Sequence, residues 1–224
     1  MLKNIYFAAM TTSANKNIAE NIAFSLLNIG AIKLRPEQPF KWASGWNSPI
    51  YCDNRLSLSF TGIRTQIKEE LVKTIKEEFY QTEAVAGVAT AGVPQGALVA
   101  DSLNLPFIYV RPKPKDHGME NLIEGKIIPG QKVIVVEDLI STGGSSIKAV
   151  EELRKAGIDV IGMVAIFTYG FQVAAENFKK ANVKLCTLSD YETLISIAIR
   201  ENYVKEKDII SLQNWRKDPS TWQA

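Results

Sequence analysis

The apolar residues of this chain change period several times, and the changes mark out its elements. Over residues 15–30, Ile18, Ile22 and Leu26 fall at helical spacing and Gly30 closes the run, which predicts an amphipathic helix ending at a glycine C-cap. Residues 31–59 lose that period. Pro36, Pro39, Pro49, Gly45, Asn47 and Asn54 interrupt β-prone positions at Phe40, Trp42, Trp46, Ile50 and Tyr51, so irregular short strands forming a small hood are expected. Helical spacing returns over 61–80, with Ile63, Ile67, Leu71, Ile75 and Phe79 on one stripe. From there strand and helix alternate: apolar runs at 84–89, 106–110, 133–137, 160–167 and 183–185 are separated by helical segments at 94–103, 145–156 and 172–180. Two further helices, 190–202 and 205–217, close the chain.

Such alternation implies right-handed crossovers, hence an α/β fold with a doubly wound parallel sheet and ligands at the C-terminal strand edges. The 224 residues suffice for one domain spanning 1–224, and 46% hydrophobic with 22% charged residues is ordinary for a globular protein. A net charge of +2 gives no reason to expect nucleic acid as a partner. Cys52 and Cys186 stand far apart without metal-ligand spacing, which fits free thiols in a reducing cytoplasm. In residues 1–30 Ser, Asn and Glu interrupt the apolar positions, so neither a signal peptide nor a membrane span is read there, and a cytoplasmic protein is expected.

The densest chemistry lies at Val133-Ile134-Val135-Val136-Glu137-Asp138-Leu139-Ile140-Ser141-Thr142-Gly143-Gly144-Ser145-Ser146. A β-branched strand delivers two carboxylates to its C-terminal end, and a Ser/Thr/Gly loop then opens onto a helix. Loop N–H groups and the positive helix end suit a phosphate, while the acids suit ribose hydroxyls. Acids beside a phosphate imply a divalent cation in or next to the site. An ordinary strand–turn–helix junction explains the glycines but has no need of two adjacent acids. A P-loop is excluded because Gly144 is followed by Ser145, Ser146 and Ile147 rather than by Lys, and no dinucleotide Gly-x-Gly-x-x-Gly follows a strand.

One long connection, 111–130, is rich in Pro, Gly and charge, and is read as a flexible loop without an element of its own. It leaves a strand edge beside the phosphate loop and carries Arg111, Lys113, Lys115 and His117, the chain's sole histidine, all able to neutralise a diphosphate.

The fourteen-residue motif resembles the phosphoribosyl-pyrophosphate (PRPP) motif of type I phosphoribosyltransferases. With the series from Pro39 to Arg55, the Lys115-Asp116-His117-Gly118 loop and Ile123-Glu124-Gly125, the chain is similar to the orotate phosphoribosyltransferase family from about residue 18 to 191. The resemblance implies the type I phosphoribosyltransferase fold with a small N-terminal hood and a flexible catalytic loop. It implies Mg2+-dependent transfer of ribose 5-phosphate from PRPP to N1 of orotate, giving orotidine 5'-monophosphate and pyrophosphate in pyrimidine synthesis, by a homodimer whose loop is shared across the interface.

Carried over residue by residue, the resemblance assigns catalysis to Lys115, His117, Glu137 and Asp138. PRPP falls to Arg111, Lys113, Lys115, His117, Glu137, Asp138, Leu139, Ile140, Ser141, Thr142, Gly143, Gly144 and Ser145. Orotate falls to Ser141, Tyr51, Cys52 and Arg55 under the hood segment 44–52, with no direct protein ligand to the metal, which PRPP holds. The chain departs from the common pattern in three places: Ala43 stands before the Ser-Gly pair where lysine is frequent, Thr90-Ala91 replaces a Tyr-Lys pair, and Phe167-Thr168-Tyr169 replaces an orotate-contacting arginine. Arg55 is the expected substitute for the orotate carboxylate. Displacement at the anomeric carbon needs a stabilised diphosphate and a screened cationic ribose rather than a strong base, which these residue types supply. Two alternatives remain at this stage: a phosphoribosyltransferase for another nucleobase, and a PRPP-sensing regulator that binds nucleic acid.

Overall fold

In a computed structural model, which describes residues 11–13, 15–42, 45–113 and 122–223, the predicted periods become elements largely where expected. After a short strand β1 (Thr11–Ser13), helix α1 (Lys16–Asn28) starts at Asn15, whose side chain accepts the Asn17 N–H, and the chain turns away through Gly30 at φ +70°. The hood follows as two antiparallel ribbons. Strand β2 (Ile32–Leu34) pairs with β5 (Ile50–Cys52), and β3 (Phe40–Lys41) pairs with β4 (Asn47–Ser48). A 3-10 helix (Asn54–Ser59) then leads into α2 (Thr61–Glu78), which buries Ile67, Leu71 and Ile75.

The core alternates β6 (Ala84–Val88), α3 (Gly92–Leu103), β7 (Phe107–Val110), β8 (Ile123–Glu124), β9 (Lys132–Ile140), α4 (Gly144–Lys155), β10 (Asp159–Thr168), α5 (Gln172–Lys180), β11 (Leu185–Asp190), α6 (Tyr191–Arg200) and α7 (Ile209–Lys217). Among the described residues, one sheet runs β1-β11-β10-β9-β6-β7-β8 and is parallel except where β8 turns back along β7. Side chains on β9 alternate between its faces. Ile134 and Val136 join the core formed with α1, α2, α3, α6 and α7, while Val133 and Val135 join the core under α4 and α5. Both faces are thus covered, which is why the central strands read as continuous apolar runs.

Four differences from the sequence-based expectation have local causes. The stretch 111–130, read as free of elements, contains β8, held by pairing of Tyr109 with Glu124 and Val110 with Ile123. Strand β11 runs on to Asp190 rather than stopping at 185, because its polar residues are satisfied in place: Ser189 is buried and its Oγ donates to the Ala19 carbonyl at 2.8 Å. Strand β9 continues past 137 to Ile140, carried by β10 through the pairs Ala165–Glu137, Phe167–Leu139 and Thr168–Ile140. The helix expected over 205–217 divides into a 3-10 turn at Glu206–Asp208 and α7.

Candidate active site

Strand β9 projects beyond its neighbour β6, since their ladder stops at Gly87–Val136 while β10 accompanies β9 to Ile140. The acid pair sits on this overhang. Successive strand side chains point to opposite faces, yet at this strand end the two carboxyl groups stay close enough to share a hydrogen bond. Glu137, only 6% exposed, lies on the α4 side, where Oε2 accepts from Ser146 Oγ at 3.1 Å and Oε1 accepts from the Asp138 N–H at 3.0 Å. Burial, reinforced by the adjacent Asp138 carboxylate, pushes the Glu137 carboxyl well above the usual range. Asp138 lies toward the hood, and its negative charge helps to push up the Cys52 thiol and the Tyr169 hydroxyl, both raised chiefly by burial.

Beyond the acids the chain turns sharply into α4. Gly143 holds φ +78°, and a Cβ there would come 2.9 Å from the Phe178 ring, so both conformation and space require glycine. Asn177 Nδ2 donates to the Thr142 carbonyl at 2.9 Å and braces the loop from α5. No side chain caps α4, whose first turn consists of Gly144, Ser145 and Ser146, with Gly144 and Ser145 exposed. A helix start with small residues and no side-chain cap offers its N–H groups to an anion. The turn after β6 converges on the same edge. Gly92 opens α3 so close to β9 that a Cβ would lie 2.5 Å from the Val136 carbonyl oxygen.

Arg111 leaves β7 beside this edge. Its N–H donates to the Leu122 carbonyl at 2.7 Å, and its Nη1 stands 3.6 Å from Glu124 Oε1 without a hydrogen-bond partner among the described residues. A cavity of about 250 Å3 separates Arg111 from α4, and Ser145 and Lys148 share its walls with apolar Val88, Val110 and Leu122. Lys113 is exposed just beyond. Lys115 and His117, and Ser44 of the hood, lie outside the described residues.

The hood closes the other side. Trp42 Nε1 donates to the Ile50 carbonyl at 3.2 Å, and Phe40 packs on Tyr51 with ring centroids 5.5 Å apart, leaving Tyr51 41% exposed. Arg55 also belongs to this group, yet its guanidinium is engaged by Asp53, with Nε–Oδ1 at 2.6 Å and Nη2–Oδ2 at 2.9 Å. That hydrogen-bonded pairing holds the Asp53 carboxyl below its usual range. A substrate carboxylate at Arg55 therefore has to share the fork with Asp53. Tyr169, which occupies the position where an arginine is common, is buried and stacks into an aromatic group with Trp42, Phe171 and Trp215.

Residues 62–201 match the phosphoribosyl transferase domain family. The chain is 61% identical to the orotate phosphoribosyltransferase of Cytophaga hutchinsonii over 207 residues, 92% of this chain and 99% of that one. The chain belongs to the orotate phosphoribosyltransferase family. A second member, from Bacteroides thetaiotaomicron, is 60% identical over 209 residues, 93% of this chain and 99% of the relative. The fold agrees as well: the crystal structure of orotate phosphoribosyltransferase from Aeropyrum pernix superposes with a TM-score of 0.71 at 30% identity, covering 82% of this chain and 99% of the other.

Within this family member, the acid pair, the glycine turn into α4 and Arg111 meet at one sheet edge, as the sequence leads one to expect, because each is a local pattern. Sequence reasoning misses Ser146, Asn54 and Gln95, which meet the acid-pair strand end directly or through one another from α4, the hood and α3. In the sequence Asn54 reads as a breaker of the strand pattern and as one member of the 39–55 series, and nothing in its own neighbourhood marks it as a partner of a residue 84 positions away.

Proposed function

We propose that the protein transfers ribose 5-phosphate from PRPP to N1 of orotate, forming orotidine 5'-monophosphate and pyrophosphate, at the overhanging end of β9. The observation that carries this reading is the turn of β9 into α4. Two acids and a left-handed glycine stand before an uncapped helix start, under a hood whose Cys52 shares the charge field of Asp138. The 5'-phosphate would take the N–H groups of the 141–145 loop. Asp138, with Glu137 behind it, would face the ribose as positive charge develops at its anomeric carbon, and Arg111 with Lys113, Lys115 and His117 would take the diphosphate as its bond to that carbon breaks. Tyr51, Cys52, Ser141 and Arg55 would hold the base.

Among the described residues no group of three His, Cys, Asp or Glu side chains is placed to hold a metal. We read the Mg2+ as drawing most of its oxygens from PRPP and water, since this ion keeps several waters and leans on substrate phosphates. When bound it would neutralise diphosphate charge. We further propose a homodimer in which Lys115 and His117 serve the partner's site, working in the cytoplasm, where the Cys52 and Cys186 thiols stay reduced. No helix of the described residues is long and apolar enough to cross a membrane.

Purified protein with Mg2+ and PRPP should abolish the absorbance of orotate and release one pyrophosphate per orotate consumed. Preferential consumption of adenine or uracil would assign a different base. PRPP binding without turnover of any base would make the protein a sensor.

A further inference from the structure

The overhang of β9 leaves the Asp138 peptide without a strand neighbour on the β6 side, because β6 has already turned away after Val88. Buried backbone groups still need partners, and here two side chains take the place of the missing strand. The Asp138 N–H donates to Glu137 Oε1, and the Asp138 carbonyl accepts from Asn54 Nδ2 at 2.8 Å. Asn54 is the first residue of the 3-10 helix that follows β5 and is 1% exposed. Its Oδ1 accepts from Cys52 Sγ at 3.2 Å, so one amide grips both the hood strand β5 and the acid-bearing strand. The network continues through Ser57, whose Oγ donates to the Asn54 carbonyl at 2.6 Å, to Gln95 on the first turn of α3, whose Nε2 reaches Ser57 Oγ at 3.4 Å. Gln95 is 2% exposed, and its Oε1 has no hydrogen-bond partner among the described residues.

We propose that Asn54 is a positioning residue for phosphoribosyl transfer, whose side-chain amide fixes the Asp138 peptide and the Cys52 edge of the hood relative to one another. The proposal rests on the reading that Asp138 faces the ribose and the hood covers the base. Both alignments then depend on a single buried side chain that itself touches neither substrate. Loss of the amide frees the overhang to shift while leaving the phosphate loop in place, since that loop is braced separately by Asn177 from α5. The consequence is selective: turnover and orotate recognition suffer while PRPP binding, dominated by the phosphate loop and the basic residues, is kept.

The test compares Asn54→Leu and Asn54→Asp with the parent chain, using steady-state rates, a PRPP titration and thermal melting on the same preparations. Asn54→Leu keeps the bulk but removes both polar contacts. It is expected to lower kcat and raise KM for orotate, each on the order of tenfold, since sub-ångström to ångström misplacement of reacting groups has effects of this size or larger. The Kd for PRPP should stay within about twofold of the parent. Asn54→Asp keeps the size and serves if the leucine variant fails to fold. Its carboxylate opposes the Asp138 carbonyl near pH 8, whereas its protonated form regains a donor, so its rate relative to the parent should recover as pH falls toward 5. Parent values of kcat and orotate KM in Asn54→Leu, or an Asn54→Asp ratio that is flat with pH, would overturn the proposal. Asp138→Asn separates this failure from failure of the underlying reading: if that variant is impaired and the Asn54 variants are not, only the positioning role is lost.

Discussion

Glu137 is a carboxyl group held where its charge is costly. Burial raises its pKa and the neighbouring Asp138 carboxylate adds to the effect, while the hydrogen bonds from Ser146 and from the Asp138 N–H act the other way. For a group whose folded pKa lies above its unfolded value, the associated stability is full below the unfolded value and is lost as pH rises through the folded one. Glu137→Gln removes this titration yet keeps both contacts, since the amide can accept from the Asp138 N–H and donate to Ser146 Oγ. Its melting temperature is therefore expected to exceed the parent's at pH 8, with the gap narrowing toward pH 5. Every tenfold difference in proton affinity between the folded and unfolded chain corresponds to about 1.4 kcal/mol. Melting curves across that range check it, and a gap that does not change with pH would contradict a raised pKa at Glu137.

At the scale of elements, the connection from β9 to α4 is set by Gly143. Its positive φ costs another residue about 1–2 kcal/mol, and a Cβ would also press on the Phe178 ring. Gly143→Ala should lower the melting temperature by roughly 2–8 °C and weaken PRPP binding, because a shifted loop no longer aims the first N–H groups of α4. Differential scanning calorimetry with a PRPP titration measures both, and an unchanged affinity would remove this turn from phosphate binding. The same connection shows what a sequence can disclose. Glu137, Asp138 and the 141–145 loop are contiguous, so the order of strand, acids and glycine turn can be read directly. Strand β8 cannot, because Ile123-Glu124 is too short to carry a period and exists only by pairing with β7. The true end of β11 is hidden for a related reason: Thr187 and Ser189 are polar, and only the fold shows them buried, with Ser189 bonded to α1.

At the scale of the whole molecule, the sheet edge collects its chemistry from segments far apart in sequence: the hood at 31–59, the turn before α3, Arg111 after β7, and the β9–α4 connection. Ser146, Asn54 and Gln95 show why part of this assembly is illegible in the sequence, since each acquires its role through a partner set by tertiary packing alone. The proposed homodimer extends the same logic across two chains. Subunits carrying Lys115→Ala mixed with subunits carrying Asp138→Asn should regain activity, up to about a quarter of the parent's sites if association is random, because one hybrid site then receives both intact groups. No recovery in verified mixed dimers would mean that each loop serves its own subunit.

Asp138, half-buried at the overhanging end of β9, is proposed to stabilise the transition state of phosphoribosyl transfer to orotate. Asp138→Asn retains size and hydrogen bonding while removing the charge that complements a cationic ribose. Removal of one preorganised electrostatic group of this kind lowers kcat by about 100-fold or more, with a much smaller effect on PRPP affinity. Steady-state orotate consumption and thermal melting measured on one Asp138→Asn preparation give the most direct test. The variant is expected to fold, to keep its PRPP binding and to show a kcat reduced by that factor. A variant that melts at or above the parent temperature and still consumes orotate at the parent rate would contradict the proposed role of Asp138.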